Sequence, residues 1–343
     1  MENEIIRIFS LFSDAAPSSE QVIETCRGED DFRAAVIIET DSGSKYVLKI
    51  ADNDFTFPEK IAVWQRTADE YRKLGVFCPR IFRDKKGGFP AVEFRGRGCA
   101  AYMEEYAPFR PALDTLDDEK RNAAVYDRVK EDIWRMTARA AAKRFDYSPY
   151  PSGYCLFETF CPSDKTDEVL ENALAWREYA LTLPEEFRER TDRIWRLWTG
   201  NRAALEKIYA GLPSSVFQAD LNLTNVLVDG EGNFAGVYDF NLCGRDVFLN
   251  YLMRENSASG IREALRISSG VYRFSEQEIS AAPMIYRCLK PLWFTRLTAL
   301  KDLGDDRRAI AAFLEETERS LTEPLDFRED MTNTARRGEN DAG

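Results

Sequence analysis

The chain predicts an α+β protein of two lobes, a small antiparallel sheet followed by a larger, mainly helical part. Three observations carry the expectation. Short β-branched runs broken by turn residues fill roughly the first hundred positions, helical periodicity dominates after Pro108, and one short hairpin interrupts the helices near residues 226–238. The boundaries that follow are 1–106 for the first lobe, 107–326 for the second, and 327–343 for a polar tail expected to be disordered.

The elements follow in order. Val22 to Arg27 and Ala34 to Thr40 are strand-like runs flanking Gly28-Glu-Asp-Asp-Phe32. Asp41-Ser-Gly-Ser44 marks a turn, and Lys45 to Ile50 alternates as a third strand. Pro58 to Leu74 reads as a helix, because Pro suits its first turn, Ile61, Trp64, Ala68 and Tyr71 recur at helical spacing, and Gly75 follows its end. Cys78-Pro-Arg-Ile-Phe82, a Lys85-Lys-Gly-Gly88 turn and a strand at Phe89 to Phe94 come next, and Cys99 to Pro108 completes the lobe and leaves it. In the second lobe, Asp117 to Lys143 carries an apolar stripe of Val125, Val129, Ile133, Trp134 and Ala141. Further helices are expected at Asp167 to Ala180, Pro184 to Leu197 and Asn201 to Ala210. Ser275-Glu-Gln-Glu278 is a capping box, and Asp305 caps a helix that ends before Pro324.

Composition narrows the class of chemistry. At 343 residues the chain can bury two lobes without staples. It has no histidine, which excludes Ser-His-Asp hydrolysis, Cys-His catalysis and His-ligated zinc. The seven cysteines lack Cys-x-x-Cys spacing, no leader is visible behind the acidic start, and no apolar run reaches membrane length, so a reduced cytoplasm is expected. A net charge of −12 disfavours nucleic acid and suits a cationic or polar small partner. Oligomeric state is left open.

The most informative stretch runs from Val216 to Phe240. It holds an apolar strand, Asp220, Asn225 five residues on, the apolar run Val226-Leu-Val, a Gly230-Glu-Gly-Asn233 turn, a returning strand, and Asp239-Phe240. A single Asp-x4-Asn is commonplace and could belong to an ordinary hairpin with solvated carboxylates. The ordered set is more specific, because the hairpin returns Asn225 and Asp239 to one end. Phosphoryl transfer needs a base that orients a hydroxyl and oxygen ligands for a hard cation. Asp220 suits the first role, and Asn225 with Asp239 suits the second.

This arrangement resembles the aminoglycoside phosphotransferase and choline kinase superfamily, whose fold is similar to that of protein kinases. Members usually place a histidine two residues before the catalytic aspartate. Here Gln218 stands there, which marks a divergent branch and puts the loop's fine geometry in question. The resemblance implies an ATP-dependent, Mg²⁺-dependent small-molecule kinase acting on a hydroxyl, with Asp220 as base and Asn225 and Asp239 holding metal. It also implies that Lys49 steadies the α and β phosphates, that the 58–74 helix offers Lys49 a carboxylate, and that adenine meets backbone near Glu105 and Tyr106. Glu59 is the chosen partner for Lys49, with Glu70 and Gln65 as rivals; an edge-strand surface lysine is the plainer reading of Lys49. Val36, Val47, Met103 and Leu227 are the expected apolar walls, and Arg245, Asp246, Asn250 and Glu255 are expected along the acceptor cleft or as solvated helix charges. The phosphate loop is poor in glycine, with Gly28 alone. No Ala-Pro-Glu follows Asp239, which sets protein kinases aside. The alternative function is a nucleotide-binding regulatory module of the same fold without turnover.

Overall fold

A computed structural model describes residues 3–332 apart from positions 27, 29 and 117. It opens with a helix the sequence reading did not include, α1 (Asn3–Phe9), which lays Ile5, Ile8 and Phe9 into the first lobe. The sheet is built from β1 (Pro17–Glu24), β2 (Phe32–Thr40) and β3 (Lys45–Asp52). After α2 (Pro58–Lys73) come β4 (Ile81–Phe82), β5 (Ala91–Phe94) and β6 (Arg97–Glu105). The order is β1-β2-β3-β6-β4, with β5 also on β6 and every pair antiparallel.

Strict alternation divides this sheet into two faces. One face buries Val36, Ile38, Leu48, Ile50 and Met103 beneath α1 as a small core. The other carries the rungs Ile37–Val47–Glu104 and Ala35–Lys49–Tyr102, and it looks into the cleft between the lobes. Val36 and Met103, expected as cleft walls, are therefore on the wrong face by one residue. Ile37 and Ala35 take that place.

Helix α2 keeps its expected bounds, with Pro58 in the first turn and Ile61, Trp64, Ala68 and Tyr71 buried. It also buries Lys60 in its first turn. The Lys60 ammonium donates to the Phe160 carbonyl at 3.2 Å and sits 3.2 Å from the centre of that ring, with Phe55 and Tyr150 completing the enclosure. Burial lowers its pKa to about 8.

The second lobe begins with β7 (Arg110–Pro111) and α3 (Glu119–Lys143), capped by Asp118. It continues through α4 (Glu168–Ala180) and α5 (Arg188–Tyr209). Here the two helices expected at 184–197 and 201–210 are one, because Gly200 is tolerated in mid-helix at modest cost. Then follow β8 (Ser214–Phe217), β9 (Val226–Val228), β10 (Phe234–Val237) and β11 (Gly244–Val247). The remaining helices are α6 (Phe248–Glu255), α7 (Ile261–Ser269), α8 (Glu276–Leu289), α9 (Phe294–Asp302), α10 (Arg307–Thr322) and α11 (Arg328–Thr332). The Ser275–Glu278 capping box is present, while Asp306 rather than Asp305 caps α10. Phe327 to Thr332, expected to be disordered, are ordered: Phe327 and Met331 are buried and α11 packs on α7. Positions 333–343 lie outside the described residues. No helix among the described residues is long and apolar enough to cross a membrane.

The lobes are stitched together behind the cleft. The segment after α2 joins β10: the Phe77 N–H donates to the Ala235 carbonyl at 3.2 Å, and the Val237 N–H donates to the Phe77 carbonyl at 2.9 Å. Only glycine fits at the crossing, since a Cβ on Gly236 would lie 2.1 Å from the Phe77 oxygen. Gly236→Ala should therefore cost about 2–3 kcal/mol through forced backbone movement, read as a lower urea midpoint at unchanged m value. Gly230→Ala, where a Cβ meets nothing within 4 Å, serves as control and should stay within about 0.5 kcal/mol of the parent.

Candidate active site

The site is built from two loops tied to one another. Between β8 and β9 lies the loop of residues 218–225, and between β10 and β11 lies the loop around Asp239. The β9–β10 hairpin pairs Val226 with Val237, and the β8–β11 pair sets Phe217 opposite Gly244. Both loops are thus anchored at both ends. The Tyr238 N–H donates to the Asn225 carbonyl at 3.1 Å, which brings Asn225 and Asp239 to the same end as the sequence pattern requires.

Gln218 fixes the distance between the loops. Its side chain is fully buried, and its Nε2 donates to the carbonyls of Tyr238 at 2.9 Å and Asp239 at 2.7 Å. Its Oε1 accepts from the Asp220 N–H at 2.8 Å, and its own N–H donates to the Tyr71 hydroxyl of α2 at 3.3 Å. Both donors of the amide and one lone pair of its oxygen are thus used to hold backbone. The brace offsets local strain, since Ala219 (φ 76°) and Asp239 (φ 59°) both occupy the left-handed region that residues with a Cβ disfavour.

Asp220 is held in turn. Its Oδ1 accepts from Asn222 Nδ2 at 2.7 Å and its Oδ2 from Asn225 Nδ2 at 2.9 Å; the same nitrogen reaches the Asp220 carbonyl at 3.0 Å. With its amide nitrogen committed, Asn225 keeps its Oδ1 as an acceptor. That oxygen and the Asp239 carboxylate are the hard donors a Mg²⁺-sized ion takes. Among the described residues no group of three or more His, Cys, Asp or Glu forms a protein-only cage, as suits an ion held partly by phosphate oxygens.

Facing these loops is Lys49, a cleft residue of β3 rather than an exposed edge lysine. Burial works against its charge, but Asp239 and Glu104 outweigh it and the ammonium's pKa is raised. The expected partner Glu59 does not face it. Glu59 and Glu70 stand about three helical turns apart and so share the outer face of α2, where Glu59 is exposed and Glu70 pairs with Lys73 at 2.9 Å. Gln65 is occupied by the Ile81 carbonyl and Arg83. The carboxylate toward Lys49 is Glu104 on β6, whose pKa burial pushes up to about 6 against the pull of Lys49. Its sequence signal was weak, because Glu104-Glu105 resembles a polar exit from the lobe.

A cavity of about 290 Å³ opens beside Lys49, lined by Ile37, Val47, Leu227, Tyr106 and Ala107 among others. Val47 and Leu227 are where the sequence placed them. Glu105 and Tyr106 also border this cavity, with Tyr106 half-exposed under Lys45. The Glu105 N–H is already given to the Arg80 carbonyl at 2.8 Å, and its carboxylate to Arg72. That N–H is therefore spent, and the backbone of Tyr106 and Ala107 follows it along the same cavity. Two further residues escaped the sequence reading: Arg33 on β2 and Asn241, two residues after Asp239, line a smaller adjoining cavity with Lys49 and Asp239.

Of the four charged or polar residues expected along the acceptor side, Asp246 and Asn250 are instead fully buried scaffold. Asp246 accepts from Ser152, Tyr209, Asn250 and the Val247 N–H, and burial still raises its pKa. Arg245 pairs with Glu158 at 2.9 and 2.8 Å. Glu255 does face Asp220 electrostatically, paired with Arg254 at 2.8 Å. Arg254 also stacks on Tyr154 and reaches Glu168, which borders an acidic cavity of about 90 Å³ with Glu158, Asp164 and Glu171.

A two-lobed, protein-kinase-like fold with an acid, an amide and a second acid gathered opposite a half-buried lysine defines a kinase-type architecture. Residues 23–249 match the sequence profile of the phosphotransferase enzyme family, and the chain belongs to it. Among solved structures, an amicoumacin kinase in complex with AMP-PNP and Ca²⁺ shares 17% identity over 96% of each chain, with a TM-score of 0.53. A microcompartment-associated aminopropanol kinase shares 14% identity over 92% of this chain and 94% of its own, with a TM-score of 0.52. No curated protein matches.

The brace makes a sharp prediction. Gln218→Glu keeps the shape of the side chain but sets carboxylate oxygens against the Tyr238 and Asp239 carbonyls, and should cost about 2–3 kcal/mol, measured by denaturant unfolding. A stability equal to the parent's would show that the amide does not hold the loops.

Proposed function

We propose that this protein transfers the γ-phosphoryl group of ATP to a hydroxyl of a small molecule. The observation that carries the reading is the meeting of Asp220, Asn225 and Asp239 at one end of a hairpin opposite Lys49. Asp220, held by two asparagine amides, orients the acceptor hydroxyl and takes its proton as the new O–P bond forms and ADP leaves. Asn225 Oδ1 and the Asp239 carboxylate would hold Mg²⁺, which when bound supplies charge neutralisation across the phosphates. Lys49, kept charged by Asp239 and Glu104, steadies the α and β phosphates. Adenine lies in the 290 Å³ cavity with its edge against the Tyr106–Ala107 backbone. The acidic cavity reached through Glu168 and Arg254 favours an acceptor bearing an amine as well as a hydroxyl. We place the protein in the cytoplasm, in keeping with seven free cysteines.

The second reading, a regulatory module without turnover, rests on the missing histidine and on the glycine-poor phosphate loop. Gln218 supplies a loop brace of its own, so the first of these features loses its force.

Asp220→Asn should retain ATP binding while turnover falls about 10²- to 10⁴-fold, followed as ADP release over a panel of amino alcohols and other hydroxyl compounds. Turnover equal to the parent's would remove Asp220 from its role. Asp239→Ala should weaken nucleotide binding in the presence of Mg²⁺ far more than in EDTA, as titration calorimetry would register. Tight Mg-ATP binding with silence across the acceptor panel would favour the regulatory module.

A further inference from the structure

The strand register acts as a ruler along the cleft. Successive cleft-facing rungs are Ile37–Val47–Glu104, Ala35–Lys49–Tyr102 and Arg33–Ala51–Ala100. Each lies roughly 7 Å beyond the last, the rise of two strand residues. The first borders the cavity beside Tyr106 and Ala107, and the second carries Lys49. The third reaches a cavity of about 50 Å³ that also takes in Thr25, Thr56, Asp239 and Asn241. Arg33 thus stands one rung past Lys49, on the side away from the adenine end.

Its guanidinium is held in place and charged. It lies 5.1 Å from the centre of the Phe55 ring, and it forks onto Asp31, with Nε to Oδ1 at 2.7 Å and Nη2 to Oδ2. The Asp31 carboxylate raises its pKa, and Asp239 adds to the effect. Asp31 also accepts from Asn53 Nδ2 at 3.1 Å, so it keeps a partner if Arg33 turns away. In the same cavity the Asn241 amide oxygen is buried with no partner among the described residues. The loop that precedes Arg33 has a single glycine, Gly28, and so offers little of the close backbone approach by which glycine-rich loops hold phosphate.

Resting on the kinase reading of the cleft, we propose that Arg33 binds the terminal phosphate of the nucleotide triphosphate, and that Asp31 holds the guanidinium in place until phosphate oxygens replace the carboxylate. A fork that fits carboxylate also fits phosphate, so the exchange keeps both hydrogen bonds and the charge pairing. The side chain then does what backbone amides do in glycine-rich loops. It also gives the site a means of telling a triphosphate from a diphosphate before an acceptor is present.

The test is the dissociation constant of AMP-PNP and of ADP, each with Mg²⁺, for the parent, Arg33→Met, Arg33→Lys and Asp31→Asn. Arg33→Met should weaken AMP-PNP about tenfold or more, the worth of a charge-assisted contact, and leave ADP within about twofold. Arg33→Lys should fall between, because an ammonium is a point charge without the fork. Asp31→Asn should tighten AMP-PNP severalfold. An equal loss for both nucleotides, or none for either, would overturn the terminal-phosphate role. If Arg33→Met melts early, Asp31→Asn decides alone, and unchanged or weaker AMP-PNP binding there refutes the exchange. A parent protein that binds neither nucleotide would instead defeat the kinase reading itself, and Arg33's role with it.

Discussion

One buried amide sets the geometry on which the site depends. Gln218 joins the Asp220 N–H to the carbonyls of Tyr238 and Asp239, so two loops that each contain a left-handed residue are held against each other by two short hydrogen bonds, with a third fixing the brace within its own loop. A neutral imidazole at this position has one donor and one acceptor, whereas the glutamine amide has two donors and an acceptor. The replacement therefore alters which carbonyls are held without removing the tie. Because Gln218 also donates its backbone N–H to Tyr71 on α2, the same residue couples the first lobe to the 218–225 loop. Buried polar groups with every bond made favour one arrangement over its neighbours.

Charge within the cleft is separated despite the chain's net −12. Lys49, Arg33 and Asp239 line one cavity, while Glu158, Asp164, Glu168 and Glu171 line another. Glu104 sits behind Lys49, with its carboxyl pushed up to about 6 by burial. A polyanion at the first cavity and a cation at the second would each meet complementary charge, and the reverse placement would be repelled.

Much of this was legible in the sequence wherever the information is local. The hairpin that returns Asp239 to Asn225 needs only two apolar runs and a glycine turn, and α2 is marked by Pro58, Gly75 and four apolar residues at helical spacing. What failed depends on which face of an element looks where. In β2 both faces are apolar, so Val36 and Ile37 cannot be ranked by alternation alone, and a one-residue choice moves the whole set of cleft walls. Glu59 was misjudged for the helical counterpart of the same reason. Glu104 and Arg33 become neighbours of Lys49 and Asp239 only through strand pairing, which no short window contains. Gly200 suggested a break where packing carries α5 straight through, and the spacing of Ile5, Ile8 and Phe9 was a signal for α1 that seven residues at a chain end made easy to pass over.

The stitch between Phe77 and Gly236 has a mechanical consequence. It is one of several ties, since α2 also lends Ile61, Trp64, Ala68 and Tyr71 to the core of the second lobe, and Thr67 accepts from the Tyr147 hydroxyl at 3.1 Å. The ties extend to the N-terminal end of α2. There the lobes meet through Lys60 on the Phe160 carbonyl and Asp54 on the Ser163 N–H. The helix is thus mechanically part of the second lobe, and the sheet of the first lobe rides on it rather than hanging from a free hinge.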